Sequence, residues 1–196
     1  MKAKTKGKNF SCNNATGNRK ASDMYDTPYC LPTELLKKEH LHGKILEPAC
    51  GNMAIVDVLK KNKYKKITAY DIRGGKDFLK ETKHYDTIIT NPPYSQSMQF
   101  IQKAKCVCDE FYFLLPVSYL QGKARYDEVY TDTAFPLRKI YVFTRFPMFG
   151  NPLRADYKIE TGMMACAWYC FTKAYIGEPT IAWLDIDEYV LRKADR

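Results

Sequence analysis

Apolar positions along the chain fall into short runs separated by amphipathic stretches. Residues 44–48 form an apolar run that leads into a glycine turn and reads as a strand. Within residues 54–61, Ile55, Val58 and Leu59 recur at helical spacing. Residues 67–71 read as a second strand, 76–82 as a short helix, and 86–90 as a third strand centred on Ile88 and Ile89. A helix over 96–107 follows, then the continuous apolar run 111–117, which predicts a strand buried on both faces. Residues 119–130 read as a polar helix, and Pro32 and Thr33 open a helix whose apolar face is Leu35, Leu36 and Leu41. Strands alternating with helices at this spacing predict an α/β domain built on a parallel sheet.

The last fifty residues break the alternation. Residues 139–144 and 163–171 are both strand-like with no helix-length segment between them, so they predict a hairpin closing the sheet edge. The connecting loop 145–162 carries Pro147, Gly150, Pro152 and Gly162 and is about 18 residues long, a length often associated with function.

Charge alters this picture at one end. Of the net +9, six charges belong to Lys2, Lys4, Lys6, Lys8, Arg19 and Lys20, which stand in the first twenty residues without a single acid. Residues 1–20 therefore read as a disordered basic arm, and 21–196 as a single domain that retains only +3. A pI near 9.1 points to an anionic partner such as nucleic acid. No apolar run is long enough to span a bilayer, and the N-terminus lacks the apolar centre of a signal peptide. The seven cysteines form no CxxC pair, and the three histidines (40, 42, 84) show no zinc spacing. The cysteines read as small buried hydrophobes in a reducing, cytoplasmic compartment, with no metal site expected.

Two constellations carry chemistry. In the first, Ile45-Leu46-Glu47-Pro48-Ala49-Cys50-Gly51 runs from strand through turn to helix, where backbone N–H groups face an anionic group. Asp71 stands twenty residues beyond Gly51, the spacing at which nucleotide-binding α/β folds place an acid on ribose hydroxyls. With one glycine, this pattern reads equally as a ligand site or an ordinary turn. In the second, the strand over 86–90 runs into Asn91-Pro92-Pro93-Tyr94. The prolines remove backbone donors and leave carbonyl acceptors. Asn91 adds a side-chain acceptor, and Tyr94 offers a flat ring. Such a cluster suits a planar amine with two N–H groups to give.

These two motifs, in this order, resemble those of S-adenosylmethionine-dependent adenine-specific DNA methyltransferases, of the small kind found in phages and mobile elements. Tyr25, Thr27 and Pro28 resemble the family's N-terminal cofactor motif, and Asp77-Phe78 its acid-aromatic pair. Residues 163–184 are similar to the C-terminal segment of the phage-type members, so the likeness covers about 23–184. It implies a Rossmann-like methyltransferase fold: a mostly parallel seven-stranded sheet with a C-terminal antiparallel hairpin and helices on both faces. It implies transfer of a methyl group to adenine N6, with S-adenosylhomocysteine as the other product. Glu47, Pro48, Ala49, Cys50 and Gly51, with Thr27, would hold the methionine end. Asp71 would hold the ribose, and Asp77, Ile72 and Phe78 the cofactor adenine. Asn91, Pro92, Pro93 and Tyr94 would be catalytic, with Asn91 also at the cofactor. The target base would stack on Tyr94, with Phe146 and Phe149 as second-face candidates. Met53 departs from the pattern, because the family has a second glycine there.

DNA is the expected partner, contacted through Lys123, Arg125, Arg138, Arg145 and Arg154. Lys60, Lys61, Lys63, Lys65 and Lys66 read as a solvated face. The length leaves no room for a separate target-recognition domain, so a recognition subunit or a homodimer is a further expectation. Alternatives are methylation of RNA adenine or of protein glutamine, and a non-catalytic cofactor- or DNA-binding module.

Overall fold

The structure, a computed structural model, describes residues 26–146 and 165–186. The arm over 1–20, Tyr25, Phe149, Arg154 and most of the 145–162 loop lie outside the described residues.

Helix α1 (Cys30–Leu36) precedes strand β1 (Ile45–Glu47), helix α2 (Ala54–Lys61) and strand β2 (Ile67–Ala69). Strand β3 (Tyr85–Thr90), helix α3 (Ser97–Val107), and strands β4 (Cys108–Pro116), β5 (Leu137–Phe143), β6 (Cys166–Thr172) and β7 (Thr180–Leu184) follow. The seven strands make one sheet in the order β2-β1-β3-β4-β6-β5-β7. All neighbours pair parallel except β6, which is antiparallel to both β4 and β5.

Two expectations are corrected. The β5–β6 hairpin does not close the sheet edge: β6 inserts between β4 and β5, and β7 forms the edge beyond β5. The polar helix over 119–130 is a broken segment: a 3-10 turn Val117–Leu120, one α turn Lys123–Arg125 and a π turn Tyr126–Tyr130. Gly122, at φ +131°, stops helical continuation from the first turn to the second.

Strand β4 holds the two layers together. Residues 111–115 are at most 1% exposed. Phe111, Phe113 and Leu115 face Phe100, Ile101 and Ala104 of α3. Tyr112 and Leu114 face the layer containing Leu31 and Leu35 of α1 and Ile55 and Leu59 of α2. Burying each such side chain contributes roughly 1.5–3 kcal/mol. Trp168 of β6, fully buried, donates its indole N–H to the Leu31 carbonyl at 3.1 Å and so fastens α1 to the sheet.

The N-terminal ends of the parallel strands carry a polar lock. Arg138 makes two bonds to the Glu39 carboxylate, at 3.2 and 2.9 Å, and Glu39 also accepts from the Tyr141 hydroxyl at 2.7 Å. Arg138 is therefore engaged in an ion pair at the end of the sheet opposite Asn91, which removes it from the nucleic-acid candidates. Lys60 and Lys61, at the end of α2, and Lys63, Lys65 and Lys66, between α2 and β2, are exposed. Replacing Glu39 by Ala strands the Arg138 guanidinium without its counter-charge. Urea denaturation is expected to show a loss of about 3 kcal/mol in unfolding free energy.

Candidate functional site

The C-terminal ends of β1, β2 and β3 bring the predicted residues to one edge of the sheet. Glu47 ends β1, and the turn after it is pinned to β2 by Cys50 N–H donating to the Tyr70 carbonyl at 3.0 Å. Gly51 sits at φ +47°, and a Cβ there would meet only the Ala49 carbonyl, at 3.9 Å. The turn is thus an open cradle. Its Gly51 N–H donates to Asp71 Oδ2 at 3.1 Å, so the acid twenty residues downstream lies directly on the turn.

Met53 sits at φ 68°, ψ 9°, the left-handed region that glycine tolerates best. The backbone keeps a glycine's conformation without a glycine, and α2 still begins at Ala54. The strain is local, on the order of 1 kcal/mol. Met53→Gly is expected to raise the unfolding free energy by about that amount in a denaturant titration.

Glu47 is completely buried. Its Oε1 accepts from the Thr90 hydroxyl at 2.6 Å and the Ala49 N–H at 3.1 Å, while Oε2 is buried with no hydrogen-bond partner. Burial pushes this carboxyl up to about 8; the two donors oppose the shift and the nearby Asp71 charge adds to it. An orphaned carboxyl oxygen next to an open cradle fits a cationic group such as the methionine ammonium of S-adenosylmethionine, whose charge would favour the ionised form.

Asp71 behaves differently. Partial burial raises its carboxyl, but the Arg73 side chain, the Arg73 N–H and the Gly51 N–H outweigh burial and hold it below its ordinary value. Arg73 Nε donates to Asp71 Oδ1 at 2.8 Å, so a ribose reaching Asp71 competes with this guanidinium. Asp77 Oδ1 caps the next 3-10 turn by accepting from Leu79 N–H at 2.9 Å. Ile72 is 64% exposed beside Asp71. Phe78 instead turns inward, 2% exposed, with its ring 4.9 Å from that of Phe100. Its side chain is a core residue here and offers no free face to an adenine.

The second motif meets the N-terminal segment. Asn91 Nδ2 donates to Thr27 Oγ1 at 3.1 Å, across 64 residues of chain, and Thr27 and Pro28 are both buried. The amide nitrogen is thereby committed, and Oδ1 is the acceptor end of Asn91. The Pro93 carbonyl accepts from Gln96 N–H at 2.9 Å, and the Tyr94 carbonyl from the Ser97 hydroxyl at 3.1 Å. Pro92, between Asn91 and Pro93, is buried. Tyr94 is partly buried against both core layers, and its hydroxyl lies 3.2 Å from Cys166 Sγ at the start of β6. Phe146 is 7% exposed and packs against Phe143, with ring centroids 5.7 Å apart. Like Phe78, it is occupied in the core rather than presented to a ligand.

No protein-family model matches the sequence, and no curated protein is similar to it. Solved structures do match. The type IIG restriction endonuclease BpuSI superposes with a TM-score of 0.58 at 12% identity, over 78% of this chain and 26% of its own. The type I restriction enzyme EcoKI M protein does so at 0.53 and 12% identity, over 84% and 49%. Thermoplasma acidophilum 1320 gives 0.51 and 17% identity, over 74% and 88%. The fold is that of the Rossmann-like methyltransferases. Within it, among the described residues, no helix is long and apolar enough to cross a membrane.

Three residues at the site escape sequence reasoning. Thr90 orients Glu47, and its only signal is a polar residue at the end of an apolar strand. Arg73 engages Asp71, and Cys166 meets Tyr94 from a strand 72 residues away. Neither carries a motif.

The Glu47 carboxyl has a pH signature. Between its ordinary value near 4.5 and about 8, folded Glu47 keeps a proton that the unfolded chain releases. Its contribution to stability therefore falls as pH rises through that window. Thermal melts of Glu47→Gln from pH 5 to 8 are expected to lose this part of the decline.

Proposed function

We propose that the chain transfers a methyl group from S-adenosylmethionine to the exocyclic amine (N6) of adenine in DNA, with the base turned out of the duplex against Tyr94. The reading rests on one observation above the others. The Asn91 amide N–H donates to Thr27 Oγ1 at 3.1 Å, which supports a role for the other end of that side chain, the Asn91 oxygen, as an acceptor.

The cofactor, when bound, supplies an electrophilic methyl carbon on a positively charged sulfur. Glu47 and the Gly51 turn would hold its methionine end, Asp71 its ribose, and Asp77 with Ile72 its adenine edge. What remains is the weak nucleophile, an amine whose lone pair is delocalised into the purine ring. Asn91 Oδ1 and the Pro92 carbonyl accept its two N–H bonds, draw the nitrogen toward tetrahedral geometry and aim the pair along the line of attack. With the cofactor held there, transfer would join N6 to the methyl carbon, leave the carbon–sulfur bonding pair on sulfur as S-adenosylhomocysteine, and release one N6 proton to solvent. A base inside a duplex cannot reach this pocket, so it is extruded, and the Tyr94 ring gives it a stacking surface. The motifs Glu47-Pro48 and Thr27-Pro28, by their family resemblance, favour adenine over the other planar amines, and the basic charge favours nucleic acid. A recognition subunit or a second copy is the partner this reading accommodates.

Transfer of labelled methyl groups to DNA, to RNA and to a glutamine peptide tests the proposal. DNA is expected to be labelled at adenine N6. Asn91→Ala is expected to lower turnover by about a hundredfold or more, and Tyr94→Ala to weaken both turnover and substrate binding. Wild-type turnover in both variants would refute the mechanism. Label on RNA or peptide alone would reassign the substrate. Thermal stabilisation by the cofactor with no transfer to any substrate would make the chain a binding module.

A further inference from the structure

Beside Tyr94 lies a cavity of about 360 Å³, and Tyr94 is the one lining residue that the mechanism above uses. Tyr94 and Met98 form one wall; Tyr119, Gly122, Lys123 and Arg125 form the other. Its charged lining consists of two cations and no acid, in contrast with the acids Glu47, Asp71 and Asp77 on the cofactor side.

The cationic wall is organised by the broken segment after β4. Tyr119 is 8% exposed, its carbonyl accepts from the Tyr130 hydroxyl at 3.0 Å, and its ring meets Tyr169 edge-on. The Arg125 guanidinium lies 4.7 Å from the centre of the Tyr119 ring, a cation–π contact on a fixed base. Gly122 makes this possible: a Cβ there would stand 2.8 Å from Arg125 Nη2 and 3.1 Å from its Cζ. Arg125 Nε and Nη2 both reach the Gln121 carbonyl, one acceptor for a group with five donors. Lys123 stands at the rim, 82% exposed and paired with Asp127. Leu120 and Tyr126, next to lining residues in the chain, are 43% and 59% exposed.

We propose that this cavity receives the nucleic-acid backbone next to the extruded base. Arg125, held over the Tyr119 ring, binds the phosphate that neighbours the target nucleotide, and Lys123 adds a charge at the rim. The inference rests on Tyr94 as the base platform. A polymer held at Tyr94 by one unit passes its adjoining unit across the shared wall, and the groups waiting there suit an anion and a flat ring. A glutamine side chain in a peptide would bring no such anion, so the cavity selects among the planar-amine substrates.

Fluorescence anisotropy of a labelled DNA duplex, its single strand and an RNA of the same sequence, across a salt series, tests the proposal. In Arg125→Ala one phosphate fewer is neutralised. The slope of log affinity against log salt is then expected to become shallower by about 0.9 on duplex and about 0.7 on single strands. Affinity falls with it. Lys123→Ala adds a smaller loss, and Arg125→Lys restores the slope but not the whole affinity. Gly122→Ala, which displaces the guanidinium, reproduces Arg125→Ala. Lys60→Ala with Lys61→Ala, at the far end of the sheet, leaves the slope unchanged. The thermal shift given by S-adenosylmethionine stays at its wild-type size in the cavity variants, which reports an intact fold and cofactor pocket. A wild-type slope and affinity in the Lys123→Ala, Arg125→Ala double variant overturns this inference and leaves the methyl-transfer reading standing. A wild-type protein that binds neither DNA nor RNA overturns both. Binding to RNA alone, with the same flattening of the slope, supports the cavity and overturns the DNA assignment.

Discussion

Strand β4 has no polar face, and the layout of the molecule follows from that. A strand apolar on both sides must be covered on both sides, so α3 packs against Phe111, Phe113 and Leu115 while α1 and α2 cover the opposite surface. With both layers filled, polar groups are displaced to the two ends of the sheet. One end receives the Arg138–Glu39 ion pair, with Tyr112 and Tyr141 donating into it. The other end receives Glu47, Asp71, Asn91 and Tyr94. The first end stabilises a fixed arrangement; the second keeps a buried carboxylate oxygen without a partner.

At that second end, charge is divided by the Asn91-Pro92-Pro93-Tyr94 turn. Glu47, Asp71 and Asp77 lie on the β1–β2 side, with Arg73 on Asp71, and Lys123 and Arg125 lie on the side of the segment after β4, with Asp127 on Lys123. In a cleft with low-dielectric walls such a division sorts ligands before contact, drawing a positive group to one side and a negative polymer to the other. The motif stands where the two fields meet, which is where a positively charged donor and a nucleotide acceptor would have to meet.

Much of this arrangement can be read in the sequence because it is local. Ile55, Val58 and Leu59 define α2, and its observed span is the one their spacing predicts. The apolar run after residue 110 gives the doubly buried strand, and the strand–turn pattern around Gly51 gives the cradle. What escapes the sequence is set by distant partners. Strand β7 has Ile181 and Trp183 exposed at the sheet edge, so its pattern lacks the burial that marks the other strands. The insertion of β6 between β4 and β5 depends on a choice of neighbour that no local pattern encodes. Arg138 reads as a surface cation until Glu39, 99 residues away, is beside it. Phe78 and Phe146 look suited to stacking because an aromatic residue in sequence does not declare which way it faces. Gly122 and Met53 reverse one another's lesson: the glycine breaks a helix that composition favours, whereas the methionine takes up a glycine's backbone.

The bond between Thr27 and Asn91 joins the beginning of the described chain to the end of its third strand. A contact of such long reach forms only after the sheet has assembled, because closing so large a loop is costly until other contacts have drawn its ends together. The segment that carries Thr27 is itself tied down, by Leu31 and Leu35 in the core, by Trp168 on the Leu31 carbonyl and by Tyr29 on Asp57. The orientation of Asn91 therefore depends on the docking of a segment that precedes the whole sheet in the chain.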